Sequence, residues 1–273
     1  MELKTSKKIR AMTECSVMVA LSTVLSLIKI IDMPYGGSVT IASMLPIVIA
    51  VYRHGASWGI GAALVNSVVQ LLIGLNTLSY FTTWQSILAI ILLDYIVAFT
   101  VFALAGIFKK IEKRQNYALF YGVLLCSVLR YICHVISGAT VWAGLSIPTE
   151  AALLYSISYN ATYMLPETIV LASVCIYLTS IVDFKAKTPV RVKNMGMESR
   201  EIYATLGAGL LLVATVIADV CAIFPHLQDP DSGEFVFTHI GNANFTVIGI
   251  ISAVGLIGAT ALILYAKIKR KSA

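Results

Sequence analysis

Long apolar runs, broken by short polar or basic segments, account for most of this chain. Eight runs stand out: residues 11–31, 39–53, 56–75, 82–108, 116–138, 152–181, 202–224 and 243–267. A helix that crosses a bilayer needs about 20 mostly apolar residues. The run 39–53 is short for that and is expected to be tilted or only partly inserted. None of the runs alternates with period two, so they read as helices rather than barrel strands. The pattern predicts an all-α membrane protein.

A polar, basic break at 183–200, containing Pro189 and Gly196, divides the chain. A six-helix body (1–183) is expected before it, then a cytoplasmic linker (184–200) and a two-helix appendage (201–273). The appendage holds Asp219 as a lone acid near the outer end of its first helix. It also has a loop from Pro225 to Asn244 with Asp229, Asp231 and Glu234. No internal repeat is visible, which argues against an inverted-repeat carrier.

Composition sharpens this picture. The chain is 58% hydrophobic and 12% charged, with a mean hydropathy of +0.86, whereas soluble domains are nearer a quarter charged. The net charge of +6 is concentrated in alternate loops. Lys4, Lys7, Lys8 and Arg10 precede the first run, and Arg53 lies between the second and third. Lys109, Lys110, Lys113 and Arg114 follow the fourth. Lys185, Lys187, Arg191, Lys193 and Arg200 follow the sixth, and Lys267, Lys269, Arg270 and Lys271 follow the last. Lys29 is the exception and can snorkel at a helix end. The positive-inside rule then places both termini in the cytoplasm of a multi-pass cell-membrane protein. These short clusters flank spans, which disfavours a nucleic-acid site. The first run is long and lacks a small-x-small cleavage site, so it reads as a retained span rather than a signal peptide. Cys15, Cys126, Cys133, Cys175 and Cys221 all sit in apolar runs with no CxxC, and they read as small helix residues rather than metal or redox groups. No phosphate-binding G-x-x-x-x-G-K-[ST], HExxH or GxSxG is present. The chain is expected to be no enzyme, to hydrolyse no ATP itself and to need no cofactor or metal.

Ionisable groups inside the apolar runs carry the functional signal, because a charge in a membrane span is costly and by default marks a pathway or site. Asp94 lies ~15 Å in from Trp84, Arg130 ~12 Å and His134 ~6 Å from the end of the fifth run at a rise of about 1.5 Å per residue. All three can share the outer half of the membrane. Ser156, Asn160, Tyr163 and Glu167 recur at helical spacing and line one face of the sixth run, with Tyr155 and Tyr159 beside them. Pro166 is expected to kink that helix. Structural alternatives stand beside this reading. Asp94 and Arg130 can form a buried ion pair, and His134 can be a neutral core histidine. Trp84 and Trp142 can be interfacial belt residues, and Glu167 can bond backbone groups freed by Pro166. Taken together, aromatic walls with one carboxylate suit a flat cationic heteroaromatic ligand, and Asn160 and the Tyr155 hydroxyl supply directional hydrogen bonds.

Leu92-Leu93-Asp94-Tyr95, His134-x₃-Gly138-x₃-Trp142 and Tyr155-x₄-Asn160 resemble the thiamine-specific substrate-binding subunit, or S component, of energy-coupling factor transporters, the ThiT/YuaJ family. Tyr35-Gly36-Gly37, Ser43-Met44-Leu45-Pro46 and Tyr163-Met164-Leu165-Pro166-Glu167 add to the likeness, which spans about residues 11–183. The resemblance implies a six-helix protein that captures thiamine from outside. It implies that Asp94 faces the thiazolium, that His134, Tyr155 and Asn160 hydrogen-bond the ligand, and that Trp142 stacks on it. Tyr95 and Trp84 would complete the wall, and Gly138 would allow close backbone approach. The acid is Asp where family members use the longer Glu. Gly37 stands where some members carry a lid tryptophan. Asp94 or Glu167 is the expected partner of Arg130. The resemblance also implies docking to a membrane coupling subunit (T component) with two ATP-binding-cassette ATPases, for which Ser16 and Ala20 on the first helix offer a small-xxx-small pair. Alternatives are an S component for another vitamin or a thiamine precursor, a solitary proton-coupled carrier using Asp94, Arg130, His134 and Glu167, and a membrane enzyme with His134 and Glu167 as acid and base.

Overall fold

The computed structural model describes residues 2–33, 36–143, 152–192, 197–227 and 237–271. Helix α1 (Glu2–Leu27) leads into a small antiparallel hairpin of β1 (Lys29–Asp32) and β2 (Ser38–Thr40). Then follow α2 (Leu45–His54), α3 (Ala56–Ile73), a tight turn of helix at Leu75–Tyr80, and α4 (Trp84–Lys110). Helices α5 (Gln115–Thr140) and α6 (Ala152–Ile181) come next, and a two-rung ladder of β3 (Val182–Asp183) and β4 (Val190–Arg191) separates them from α7 (Ser199–Ile223) and α8 (Phe245–Lys271).

Among the described residues, seven helices are long and apolar enough to cross a membrane. The remaining apolar run, 39–53, is too short to cross, which agrees with a partly inserted segment rather than a tilted span. Its start is drawn into β2, and the helix begins only at Leu45, with Pro46 in the first turn where its missing N–H costs nothing. Ten residues rise ~15 Å, about half the hydrocarbon thickness. Leu45 to Tyr52 are all buried, because α2 packs between α1, α3 and the inner half of α4. Its hydrophobicity therefore serves the protein core rather than lipid. Gly55, at φ +84°, reverses the chain into α3.

Helix α4 is not uniformly wound. It is α-helical over Trp84–Ile90, widens to π-helical winding over Ile91–Val97, and tightens to 3₁₀ winding over Val101–Lys110. π-turns inside α-helices occur often at functional sites, and this one carries Asp94 and Tyr95. Close packing by small residues joins the other helices. Gly122 lets α5 press on the backbone of Ala105 in α4, and Gly209 lets α7 approach α6, where an added β-carbon would stand 2.9 Å from Ser173 Cβ. Helix α8 packs mainly on α7, with Gly255 against Thr215.

The basic loops gather at one end of the body. Arg53, at the end of α2, donates to Glu14 of α1 at 2.8 and 3.2 Å and to the backbone carbonyls of Phe184, Ala186 and Lys187 beyond α6. His54 Nε2 lies 2.7 Å from the same Glu14. Lys109 donates to the Tyr52 carbonyl at 2.6 Å, and Lys185 to that of Lys113. At the surface of this end Glu112 accepts the Arg114 backbone N–H, which together with the neighbouring guanidinium holds its carboxyl below the usual range. The β1–β2 hairpin lies at the opposite end.

Candidate functional site

A cavity of about 220 Å³ opens near the hairpin end, between α3, α4, α5 and α6. Its deepest chemistry centres on Asp94. The π-helical turn aims this carboxylate at α5, where His134 Nδ1 stands 2.8 Å from Oδ1 and Ser137 donates to Oδ2 at 2.7 Å. The indole N–H of Trp142 points at Oδ2 from 3.4 Å. His134 and Ser137 lie on one face of α5 and Trp142 just beyond its C-terminal end, so this helix and its exit brace one acid. Sequence reasoning missed Ser137; its spacing of three from His134 was the available signal.

Arg130, one turn before His134, donates from Nε to His134 Nε2 at 3.3 Å and lies 4.4 Å over the Phe99 ring. The expected ion pair of Arg130 with Asp94 or Glu167 is not formed among the described residues; the imidazole occupies the space between arginine and aspartate. Glu167 also departs from expectation. It does not bond backbone freed by Pro166. It reaches across to the hairpin, accepting the Thr40 N–H at 2.5 Å and the Thr40 hydroxyl at 2.8 Å, with Ser43 bonded to the same hydroxyl. Two more contacts tie the hairpin to α6. The Tyr159 hydroxyl donates to the Gly36 carbonyl at 3.0 Å, and Gly37, at φ +89°, lies flat on Tyr163, where a β-carbon would come within 2.6 Å of the ring. A larger residue at 37 has no room there. Tyr35, part of the same motif, lies outside the described residues, as do Lys193, Gly196, Asp229, Asp231 and Glu234.

The predicted polar face of α6 exists. Ser156, Asn160, Tyr163 and Glu167 are all buried toward the cavity. Asn160 is held by its own neighbours: it donates to the Ser156 carbonyl at 2.8 Å and accepts the Tyr163 hydroxyl at 2.6 Å. Tyr155 and Tyr159 stack at 5.7 Å with planes 14° apart, and Phe81 meets the Trp142 ring edge-on at 4.7 Å. Tyr95 lines the cavity and donates to the Gly74 carbonyl at 3.0 Å. Gly138 lines it too, and its missing side chain admits Ser156.

Seven of the eight candidate ligand-binding residues thus share one cavity. The eighth, Trp84, does not. It is the first residue of α4 after the Thr83 cap, 70% exposed, and takes no part in the lining. Ser16 and Ala20 lie on the exposed face of α1, away from the cavity. The charged side chains lining the cavity are the carboxylates Asp32, Asp94 and Glu167 and the cations Lys29 and Arg130, with Lys29 paired to Asp32 at 2.9 Å. By formal count the carboxyl groups outnumber the cations by one. No cluster of metal-ligating side chains occurs among the described residues.

Comparison with known proteins gives a consistent result. Residues 12–186 match the family described as Thiamine transporter protein (Thia_YuaJ). The thiamine transporter ThiT of Bacillus subtilis (strain 168) is 33% identical over 180 residues, covering 62% of this chain and 90% of that protein. A solved structure of ThiT from Listeria monocytogenes superposes with a TM-score of 0.53 at 22% identity, over 63% of this chain and 94% of the other. The family match ends before α7.

Proposed function

The chain belongs to the thiamine transporter (Thia_YuaJ) family, and from that premise we propose that it is the membrane subunit that captures thiamine from outside the cell for ATP-driven uptake by a partner module. The observation that carries this reading is Asp94, braced by His134 and Ser137 in an aromatic cavity and paired with no lysine or arginine among the described residues. Thiamine brings one fixed positive charge on a flat heteroaromatic ring. A unit charge a few ångströms from a carboxylate, with water largely excluded, gains several kcal/mol, and tyrosine and indole faces favour the cation further. Asn160 and Tyr155, which line the same cavity, would serve as directional partners of the amino-substituted ring.

The energy-coupling part of the proposal rests on other features. The chain carries no ATP-binding loop, so ATP must be used by another subunit. Ser16 and Ala20 leave a shallow notch on the outward face of α1, where a coupling subunit's helix can approach closely. Among the described residues, the basic loops around Arg53 and at 109–114 and 185–187 meet at the end away from the cavity, which by the positive-inside rule supports an outward-facing cavity with both termini in the cytoplasm.

The deciding experiment is a thiamine titration of the purified full chain, followed by tryptophan fluorescence. Saturable quenching is expected. Asp94→Asn keeps the size of the side chain and removes the charge, and should weaken binding by ~30-fold to ~1000-fold, the equivalent of about 2–4 kcal/mol. Absence of binding by the unmodified chain, or an Asp94→Asn protein of unchanged affinity, rejects the reading. Titrating the separate pyrimidine and thiazole halves distinguishes thiamine from a precursor.

A further inference from the structure

We propose that Arg130 is a positioning residue that holds His134 as the neutral Nδ1–H tautomer and thereby keeps the negative charge of Asp94 available to a bound cation. The inference deepens the thiamine reading and rests on it for its consequence, but its geometric premise stands independently.

An arginine side chain has hydrogen-bond donors and no acceptor. Its Nε–H points at His134 Nε2 from 3.3 Å, so Nε2 must offer its lone pair and carries no hydrogen. The ring's single proton then sits on Nδ1, facing Asp94 Oδ1 at 2.8 Å. Protonating the ring a second time would set a hydrogen on Nε2 against the arginine N–H. The guanidinium cannot easily turn away, since its flat face lies 4.4 Å over Phe99. The groups facing the imidazole are Asp94 from α4, Arg130 on its own helix, and Tyr163 from α6, whose ring centre is 6.4 Å away. Glu167 lines the same cavity from α6, and the Lys29–Asp32 pair lines it from β1. The charge of the ring matters for binding. A neutral imidazole donates to Asp94 and leaves its charge intact, whereas an imidazolium would cancel that charge.

The test uses the full chain in detergent with ¹⁵N-labelled histidine. Spectra of the ligand-free protein between pH 8 and 6, where an unconstrained imidazole changes charge, should show His134 with a protonated Nδ1 and a bare Nε2 throughout. A proton on Nε2, alone or with one on Nδ1, overturns the proposal. Arg130→Met removes the donor while keeping a long side chain. In that variant His134 should gain its second proton within this range, and thiamine affinity should fall about tenfold from pH 8 to pH 6, against less than about twofold for the unmodified chain. Arg130→Lys restores a donor and should flatten the profile again. An Arg130→Met protein with weaker but pH-independent binding would make Arg130 a packing residue and overturn the proposal. If the unmodified chain fails to bind thiamine, the functional reading falls, while the histidine spectrum still decides the tautomer.

Discussion

Gly138 of α5 and Ser156 of α6 meet where the two helices run closest beside the cavity. A β-carbon on Gly138 would overlap the Ser156 hydroxyl oxygen and stand 2.9 Å from its Cβ, and that hydroxyl is already fixed by its bond to the Val135 carbonyl at 2.9 Å. Gly138→Ala must therefore move α6 relative to α5, and with it Asn160 and Tyr155. Overpacking of this kind costs about 1–3 kcal/mol. The expected outcome is a lowered thermal midpoint of the detergent-solubilised chain together with weakened thiamine binding. A variant with normal affinity would show that the interface can yield without disturbing the site.

Thr40 is the hinge point between the hairpin and α6. Its N–H and hydroxyl both serve Glu167, which is buried. Thr40→Val keeps the shape, removes the hydroxyl, and leaves Glu167 Oε1 without that donor. An unsatisfied buried acceptor costs about 1–3 kcal/mol. Hydrogen exchange of the amides in 38–43 should become faster than in the unmodified chain, with exchange elsewhere in the body little changed. Unaltered protection across β2 would refute the anchoring role of this pair.

Far from the cavity, Glu14 in the middle of α1 holds Arg53 and His54 together at the C-terminal end of α2. The Arg53 side chain is only 4% exposed. Removing the acid by Glu14→Ala leaves this guanidinium buried with backbone carbonyls alone. Breaking one side of a buried ion pair costs about 3–5 kcal/mol. Thermal unfolding should register the loss, while the molecules that remain folded should bind thiamine with near-normal affinity, because none of these three residues lines the cavity. A loss of affinity without a loss of stability would contradict this division.

Most of the fold was legible because apolar length is a direct readout of span count, and basic clusters mark one end. The run 39–53 was legible as too short for a full span, but a helix buried inside the protein and one facing lipid have the same composition, so its burial was not legible, nor was the end of β2 absorbed at its start. Within the site, Ser156, Asn160 and Glu167 on α6 were legible by helical spacing and His134 on α5 by its depth in an apolar run, while Gly138 and Trp142 were legible through resemblance. The partners of Glu167 were not, since Thr40 is 127 positions away and no local pattern links a strand N–H to a distant acid. Nor was the π-helical winding around Asp94, which one added residue per turn produces without any special residue type. Trp84 was placed in the wall by resemblance alone, and its position as the exposed first residue of α4 keeps it out of the lining.

The three tryptophans give a last prediction that separates cavity from surface. Trp142 is 8% exposed, in contact with Phe81 and Tyr80, and lines the cavity with its N–H toward Asp94. Trp84 is 70% exposed at the start of α4, and Trp58 packs into the core at the basic end. A ligand that sits against Asp94 must contact or closely approach the Trp142 ring, and it cannot reach the other two. Trp142→Phe should therefore abolish most of the thiamine-induced quenching and weaken binding by the loss of indole stacking, worth about 0.5–1.5 kcal/mol for aromatic pairs. Trp84→Phe should leave both the quenching amplitude and the affinity as they are, with only the baseline emission reduced. Quenching that disappears with Trp84 would place the ligand outside the cavity, at the surface end of α4, and would remove Asp94 from the binding site.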